Sequence, residues 1–486
     1  MKKFETVMIA AAAVGAVVIG RYPEAAAIVL LYIVCTLIFR KAESGSLERI
    51  RGAAILRSDN GWDLEEAVSG PMRLEHFISR FARVFTPAMA AAAAAVALIP
   101  SFMTGNWTYW VRVGCTFLII GCVSMLAASV PLACRCGIAA ASARGIQFKN
   151  GGAMETISNM KLVAMGKTGI LTDGQYGLQR VVPAIAFEEE EEESGEQQKE
   201  SEEELILRLC AGAAAESVHP AAPGIMRAAE VWKLHPDRPE EIFSSTEKGA
   251  RVRLPEGIVC FGSREYLRDN GIRTPEPLQA NGLQVLAAID GEYIGTLILA
   301  DHMRDGAESL IQAIRHVGAK TAVLTEDSEE STAAVAQHLN IDLIRTELTP
   351  EQKVDAMKDL RRKGGVTLYL GDGTRDAAVM AAADVSGTLS SGTEEAVQAA
   401  DIYYMGTELK PVEISIDLAY VTTRIASENV LLFILIRAGI IFLGFVGYAN
   451  LWMTIAAEFG VMMICIINAV RLLYLGKYRL SRRKDR

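Results

Sequence analysis

Basic residues are nowhere gathered into a stripe on this 486-residue chain, apart from the flanks of its apolar runs and the tail "KYRLSRRKDR". That argues against nucleic acid as a partner, since such binding needs a continuous positive face. Cysteine is sparse, with eight thiols scattered along the chain. Cys35, Cys115, Cys122 and Cys465 lie in apolar runs, where small buried thiols are ordinary. Cys134-Arg-Cys136 offers two thiols, too few by themselves for a metal site. The remaining thiols are expected to face a reducing compartment, which excludes a disulfide framework. No small-residue cleavage site follows the first apolar run. Arg21-Tyr22-Pro23 leads straight into a second run, so a helical hairpin is expected there, not a signal peptide.

What the chain has in quantity is apolar sequence, 51% of all residues, and it is bunched. About six membrane spans are expected: Phe4–Gly20, Glu24–Phe39, Phe85–Phe102, Val113–Ala133, Val430–Gly447 and Leu451–Leu473. Each approaches the roughly 17–25 residues that a helix needs to cross the hydrocarbon of a lipid bilayer. Six spans put both termini on one side. Lys2, Lys3, Arg40, Lys41 and the basic tail mark that side as cytoplasmic. The expected setting is an integral protein of a bacterial plasma membrane, with a large soluble region, also cytoplasmic, between spans four and five. The net charge of −9 is concentrated in Glu188–Glu204, which holds eleven Glu against one Lys. This tract reads as a solvated, self-repelling insertion.

Beyond Gly174 the pattern alternates strands with amphipathic helices. "LQVLAAID", "TLILAD", "KTAVLT" and "VTLYLGDG" each read as a short buried strand ending in a polar turn. Such alternation predicts a parallel sheet whose ligands gather at the strands' C-terminal ends. The loops Gly166–Gly169, Asp301–Arg304, Thr325–Asp327 and Gly371–Asp376 are the candidates for chemistry. A segment from about Val181 to Gly291 reads as a domain inserted after the first strand.

The sequence "KLVAMGKTGILTDG", then "TED", then "GDGTRDAA", resembles the three signature motifs of the P-type ATPases, and is most similar to their heavy-metal (type IB) branch. "KNGGAMETI", "SVHP", "DHMR", "TPEQKV", "SSGTEEAVQAADI" and "NAVRL" extend the resemblance from about Phe85 to Leu473. It implies an α-helical membrane domain and a cytoplasmic α/β haloacid-dehalogenase-like Rossmannoid domain, interrupted by an α+β nucleotide-binding-like domain. The expected divisions are residues 1–39, the first two spans; 40–84, a short cytoplasmic loop in place of the actuator domain; and 85–155, spans three and four. Residues 156–180 and 296–412 form the phosphorylation-like domain, 181–295 the nucleotide-binding-like domain with its acidic insertion at 188–204, and 413–486 spans five and six with the basic tail.

The resemblance also shows what is missing. In the family an aspartate accepts the γ-phosphate of ATP as an aspartyl phosphate, with Mg²⁺ between it and a second aspartate. Gly166 occupies the nucleophile position, so no catalytic residue is expected. Asp173 lies past the turn and is no ready substitute. Glu326 stands where the family has glycine, Arg375 where it has asparagine, Ala378 where it has proline, and Glu247 at the first glycine of a Gly-x-Gly. Lys167, Thr168, Thr325, Lys353, Asp372 and Asp376 survive as phosphate and Mg²⁺ remnants, or as polar groups that the turns need. Arg375 is expected to fill the vacated cation position beside Asp372 and Asp376. His219, Gly249 and Gly262 are remnants of the nucleotide domain. Mg²⁺ and ATP therefore bind weakly or not at all on this reading, and no metal site is assigned.

No Thr-Gly-Glu loop occurs in the chain, and only about 45 residues separate spans two and three, too few for a domain with its own core. No separate metal-binding domain is expected before the first span. The family's Cys-Pro-Cys falls on Cys122-Val123-Ser124, and its later membrane ligands fall near Arg437 and Glu458. A bilayer charge costs at least about 2.5–3.5 kcal/mol, so Arg437 and Glu458 are expected to pair. The reading that follows is a membrane pseudoenzyme with a regulatory or scaffolding role, its partners the lipid bilayer and another membrane protein. The alternatives are an ATP-driven heavy-metal transporter and a nucleotide or metal sensor.

Overall fold

A computed structural model describes residues 2–55, 70–121, 124–184, 201–278, 282–327, 329–445 and 450–474. The acidic run up to residue 200, the basic tail from 475 onward and Cys122 lie outside the described residues. The chain divides into two compact units, one of residues 1–162, 361–369 and 380–486, the other of 163–360 and 370–379.

The first unit is built on apolar helices. Among the described residues four are long and apolar enough to cross a membrane: Tyr22–Gly52, Arg73–Thr104, Lys410–Leu443 and Leu451–Tyr474. Thr6–Val18, Trp107–Ile120 and Ala128–Ser142 are apolar but shorter. The expected fourth span, Val113–Ala133, includes residues 122 and 123, which lie outside the described residues. A helix ends at Ile120 with Gly121 as its cap, and a new one begins at Ser124. The helix from Tyr22 continues to Ile55 and the next begins at Arg73, so helix occupies much of the segment 40–84. The helices ending in Phe445 and Tyr474 both pack on Ser124–Ser142. Gly137 permits one such approach, because a Cβ there would collide with Thr422. This unit also carries four short strands in the order 146–148, 402–404, 385–389 and 367–370. Ile146–Phe148 runs antiparallel to Ile402–Tyr404, while Val385–Leu389 runs parallel to it.

The second unit holds the candidate site. Leu162–Met165, Lys320–Leu324 and Leu343–Arg345 follow one another in sheet order, the last two parallel. Burial explains the first two: Val163, Ala164 and Met165, like Val323 and Leu324, are almost wholly enclosed, as expected of strands covered on both faces. A separate six-stranded antiparallel sheet runs in the order 172–183, 292–303, 283–289, 257–262, 249–254, 241–246. Helices Glu202–Ala214 and Ala222–Val231 cover it over a core that includes Leu207, Ile225, Val252, Phe261 and Leu297.

This arrangement corrects one expectation. "LQVLAAID" and "TLILAD" are not strands of the parallel sheet; they form an antiparallel hairpin in the second sheet. Asp290 and Gly291 turn the hairpin with φ of 49° and 89°. Two consecutive positive φ angles match the right-handed twist of paired strands and bring the chain straight back. Asp301 consequently lies within a strand and accepts a 2.5 Å hydrogen bond from Thr172 Oγ1.

Candidate functional site

A cleft of about 500 Å³ opens at the ends of the parallel strands in the second unit. It is lined by Gly166, Lys167, Thr168, Thr325, Lys353, Asp372 and Asp376, together with Glu326, Asp327 and Arg375. Residues from four separate stretches thus converge, as strand-end loops of an α/β sheet should.

Gly166 follows the buried strand and its amide donates to Leu370 O at 3.0 Å. A Cβ at this position would sit 3.5 Å from Asp376 Oδ2, an ordinary van der Waals contact. The next residue, Lys167, is buried, and its Nζ lies 2.6 Å from Asp327 Oδ2 and 3.4 Å from Ser331 Oγ. Thr168 is exposed. Gly169 has φ +84°, and a Cβ there would collide with the Asp372 carboxylate. Glycine is therefore required twice over, for backbone conformation and for space. Arg304 Nη2 donates to Gly169 O at 2.8 Å and steadies the same turn.

Thr325 is buried, with its Oγ1 accepting from Asp327 N at 3.1 Å. Lys353 is buried too, and its Nζ lies 3.3 Å from Asp376 Oδ1 and 3.1 Å from Glu326 Oε1. Burial, reinforced by the neighbouring Asp376 charge, pushes the Asp372 carboxyl up to about 6, against the opposing pull of Arg304. The cation beside Asp376 is thus Lys353, not Arg375 as expected. Arg375 projects outward with 70% of its side chain exposed and donates to Glu326 Oε2 at 2.7 Å. Its short 3-10 turn, Thr374–Asp376, faces the Thr325–Asp327 loop, so the guanidinium meets that loop first.

This donor set does not suit Mg²⁺. A hard divalent cation wants several free oxygen ligands. Here Gly166 supplies none and Asp376 already carries the Lys353 ammonium. Asp173 does not compensate, because its Oδ1 accepts from Gln175 N at 2.9 Å and its Oδ2 faces His302 at 3.4 Å. It lines a different hollow, with Tyr176, Arg227 and Trp232.

The nucleotide-domain remnants form a packed structural group. His219 is buried, and its Nδ1 accepts from Ala221 N at 3.1 Å. Its ring meets Phe261 edge-on at 5.7 Å. Desolvation lowers its pKa to about 4. Gly249 and Gly262 face one another across adjacent antiparallel strands. A Cβ on either would strike the opposite backbone, so close strand approach accounts for both glycines.

Among the apolar helices of the first unit, Arg437 Nη2 lies 2.9 and 2.8 Å from Glu458 Oε1 and Oε2. The guanidinium also sits over the Phe433 ring, 4.4 Å from its centroid. The side chains of the pair are only 10% and 12% exposed. Ser124 opens its helix. A polar set unforeseen from sequence lies on the same two helices. Asn429 Nδ2 donates to Cys465 O at 3.3 Å, and Asn468 Nδ2 donates to Asn429 Oδ1 at 2.9 Å. Asparagines within apolar runs were the available signal for it. Cys134 and Cys136 are buried, and among the described residues no group of three His, Cys, Asp or Glu is placed to hold a metal ion.

The family model for haloacid dehalogenase-like hydrolases matches residues 160–384. A cadmium, zinc and cobalt-transporting ATPase of Helicobacter felis is 30% identical over 411 residues, covering 84% of this chain and 58% of the relative. A zinc-transporting ATPase of Synechocystis sp. is 32% identical over 415 residues, covering 84% and 55% respectively. The chain thus spans little more than half the length of these relatives. The crystal structure of a zinc-transporting PIB-type ATPase in its E2.Pi state superposes with a TM-score of 0.69 at 27% identity, over 88% of this chain and 66% of that one.

Proposed function

We propose that this chain, similar over 84% of its length to zinc- and cadmium-transporting ATPases, is a member of the heavy-metal branch of the P-type ATPases whose own head forms no aspartyl phosphate. The observation that carries this reading is Gly166. A Cβ would be accommodated there, 3.5 Å from Asp376 Oδ2, but the residue carries no side chain. Around it, the charges are neutralised from within, Asp376 by Lys353 and Asp327 by Lys167. No atom at 166 can attack phosphorus, and covalent catalysis by a carboxylate needs such an atom. The protein then acts as a regulator or scaffold of another membrane protein through its helices or its head. Its setting is a bacterial plasma membrane, with the head and both termini cytoplasmic.

A second reading, an ATP-driven metal transporter, is favoured by the relatives' names, which back transport more directly than they back an inactive head. The buried Arg437–Glu458 pair is relevant to both, as a fixed neutralisation of a membrane site or as an ion pair that a passing cation splits. A sensor of nucleotide or metal is a third reading.

Incubation of the purified chain with γ-labelled ATP separates these. The expected result is no acid-stable, hydroxylamine-sensitive label on the wild type. Label confined to Gly166→Asp would locate the defect in that one missing carboxylate. Label on the wild type, or metal-dependent ATP turnover by the reconstituted chain alone, overturns the proposal in favour of transport.

A further inference from the structure

Two of the positions that depart from the family pattern, 326 and 375, are bonded to each other across 49 residues of sequence. Glu326 Oε2 accepts from Arg375 Nη1 at 2.7 Å, and Glu326 Oε1 lies 3.1 Å from Lys353 Nζ. One carboxylate therefore sits between two cations at the mouth of the cleft. Both of its oxygens are used, each in a charge-assisted contact. Another departure is in electrical reach, since Glu247, on the turn after Glu241–Thr246, further favours the charged Arg375 guanidinium. Burial alone would raise the Glu326 carboxyl, but hydrogen bonds from Arg375 and Lys353 outweigh it and hold that group below the ordinary carboxylate range. Independent decay of single positions gives no reason for an acid and a base to arise where each satisfies the other.

Taking the non-phosphorylating head as given, we infer that Glu326 is the resident anion of the cleft: a tethered carboxylate that occupies the seat of a phosphoanion on Lys353 and Arg375 and keeps free phosphate out. A tethered group competes at the high effective concentration of an intramolecular partner, which a free anion must exceed. The class of ligand excluded is inorganic phosphate or the terminal phosphate of a nucleotide. The same two cations would receive it once the carboxylate is withdrawn.

The test is equilibrium binding of labelled inorganic phosphate to the full chain in lipid nanodiscs, without ATP. Glu326→Gln is expected to bind phosphate about tenfold more tightly than the wild type, a difference of one charged contact. Adding Arg375→Gln to it should remove that gain. Equal affinity in wild type and Glu326→Gln overturns the inference, as does a gain that survives loss of Arg375. Should Glu326→Gln fail to fold, Glu326→Asp withdraws the carboxylate by one methylene and should show a smaller gain; no gain there also counts against it. A wild type that takes label from ATP defeats the functional reading. An unlabelled wild type with no phosphate gain in either variant defeats only this inference.

Discussion

Two arginine–glutamate pairs in this chain have nearly the same closest distance and quite different surroundings. Arg437 meets Glu458 at 2.8 Å, and Arg375 meets Glu326 at 2.7 Å. The first lies among apolar helices, with its side chains 10% and 12% exposed; in the second the arginine is 70% exposed. Distance alone would rank them equal. Desolvation does not, because a charge removed from water depends on its partner, whereas an exposed charge falls back on solvent. The pair in the helices therefore locks two elements together. The pair in the head decides which anion occupies a cleft and adds little to the fold.

The largest expected effect breaks the buried pair. Arg437→Leu or Glu458→Leu alone should destabilise the chain by about 3–5 kcal/mol, since each leaves an uncompensated charge. The double replacement should recover most of that loss. Denaturant unfolding in detergent micelles, read as a double-mutant cycle, measures the coupling. Strictly additive single effects would mean that the two residues do not act as a pair.

A buried group with no ion pair among the described residues sharpens the contrast. His219 has a folded pKa of about 4, lowered by desolvation, against an unfolded value near 6.5. Between those values the unfolded chain binds more protons, so stability is greatest above about pH 6.5 and declines as pH falls toward 4. The loss should be of order 2–3 kcal/mol, and His219→Gln should flatten this part of the pH profile. A slope unchanged by the substitution would assign it to other groups.

Arg375→Gln should change the unfolding free energy by less than about 1 kcal/mol, and by less still in high salt. Thermal unfolding at low and high ionic strength checks this. A loss as large as that of the membrane pair would erase the distinction between the two environments.

Much of the site was legible because short motifs carry it. Lys167, Thr325, Lys353, Asp372 and Asp376 come from four stretches of the chain and line one cleft, and each stretch could be recognised by its own residues. The partner of Arg375 was not legible. Asp372 and Asp376 are its neighbours in sequence, yet the guanidinium bonds to Glu326, far away along the chain. The hairpin at Asp290-Gly291 was misread although its two turn residues are a known signal. Its apolar strands look the same in isolation whether they join a parallel or an antiparallel sheet, and the turn alone tells them apart.

The order of residues was enough to establish the apolar helices, the strand-rich head and the missing carboxylate at 166. Each of these is local: hydropathy, alternation and the identity of one side chain do not depend on what lies across space. Which charges neutralise which in the head followed from folding alone. Lys353 reaches Asp376 and Glu326 holds Arg375, whereas the meeting of Arg437 with Glu458 was already expected from their place in apolar runs. Electrostatic energy depends on separation and burial, and neither quantity exists until distant segments have been brought together.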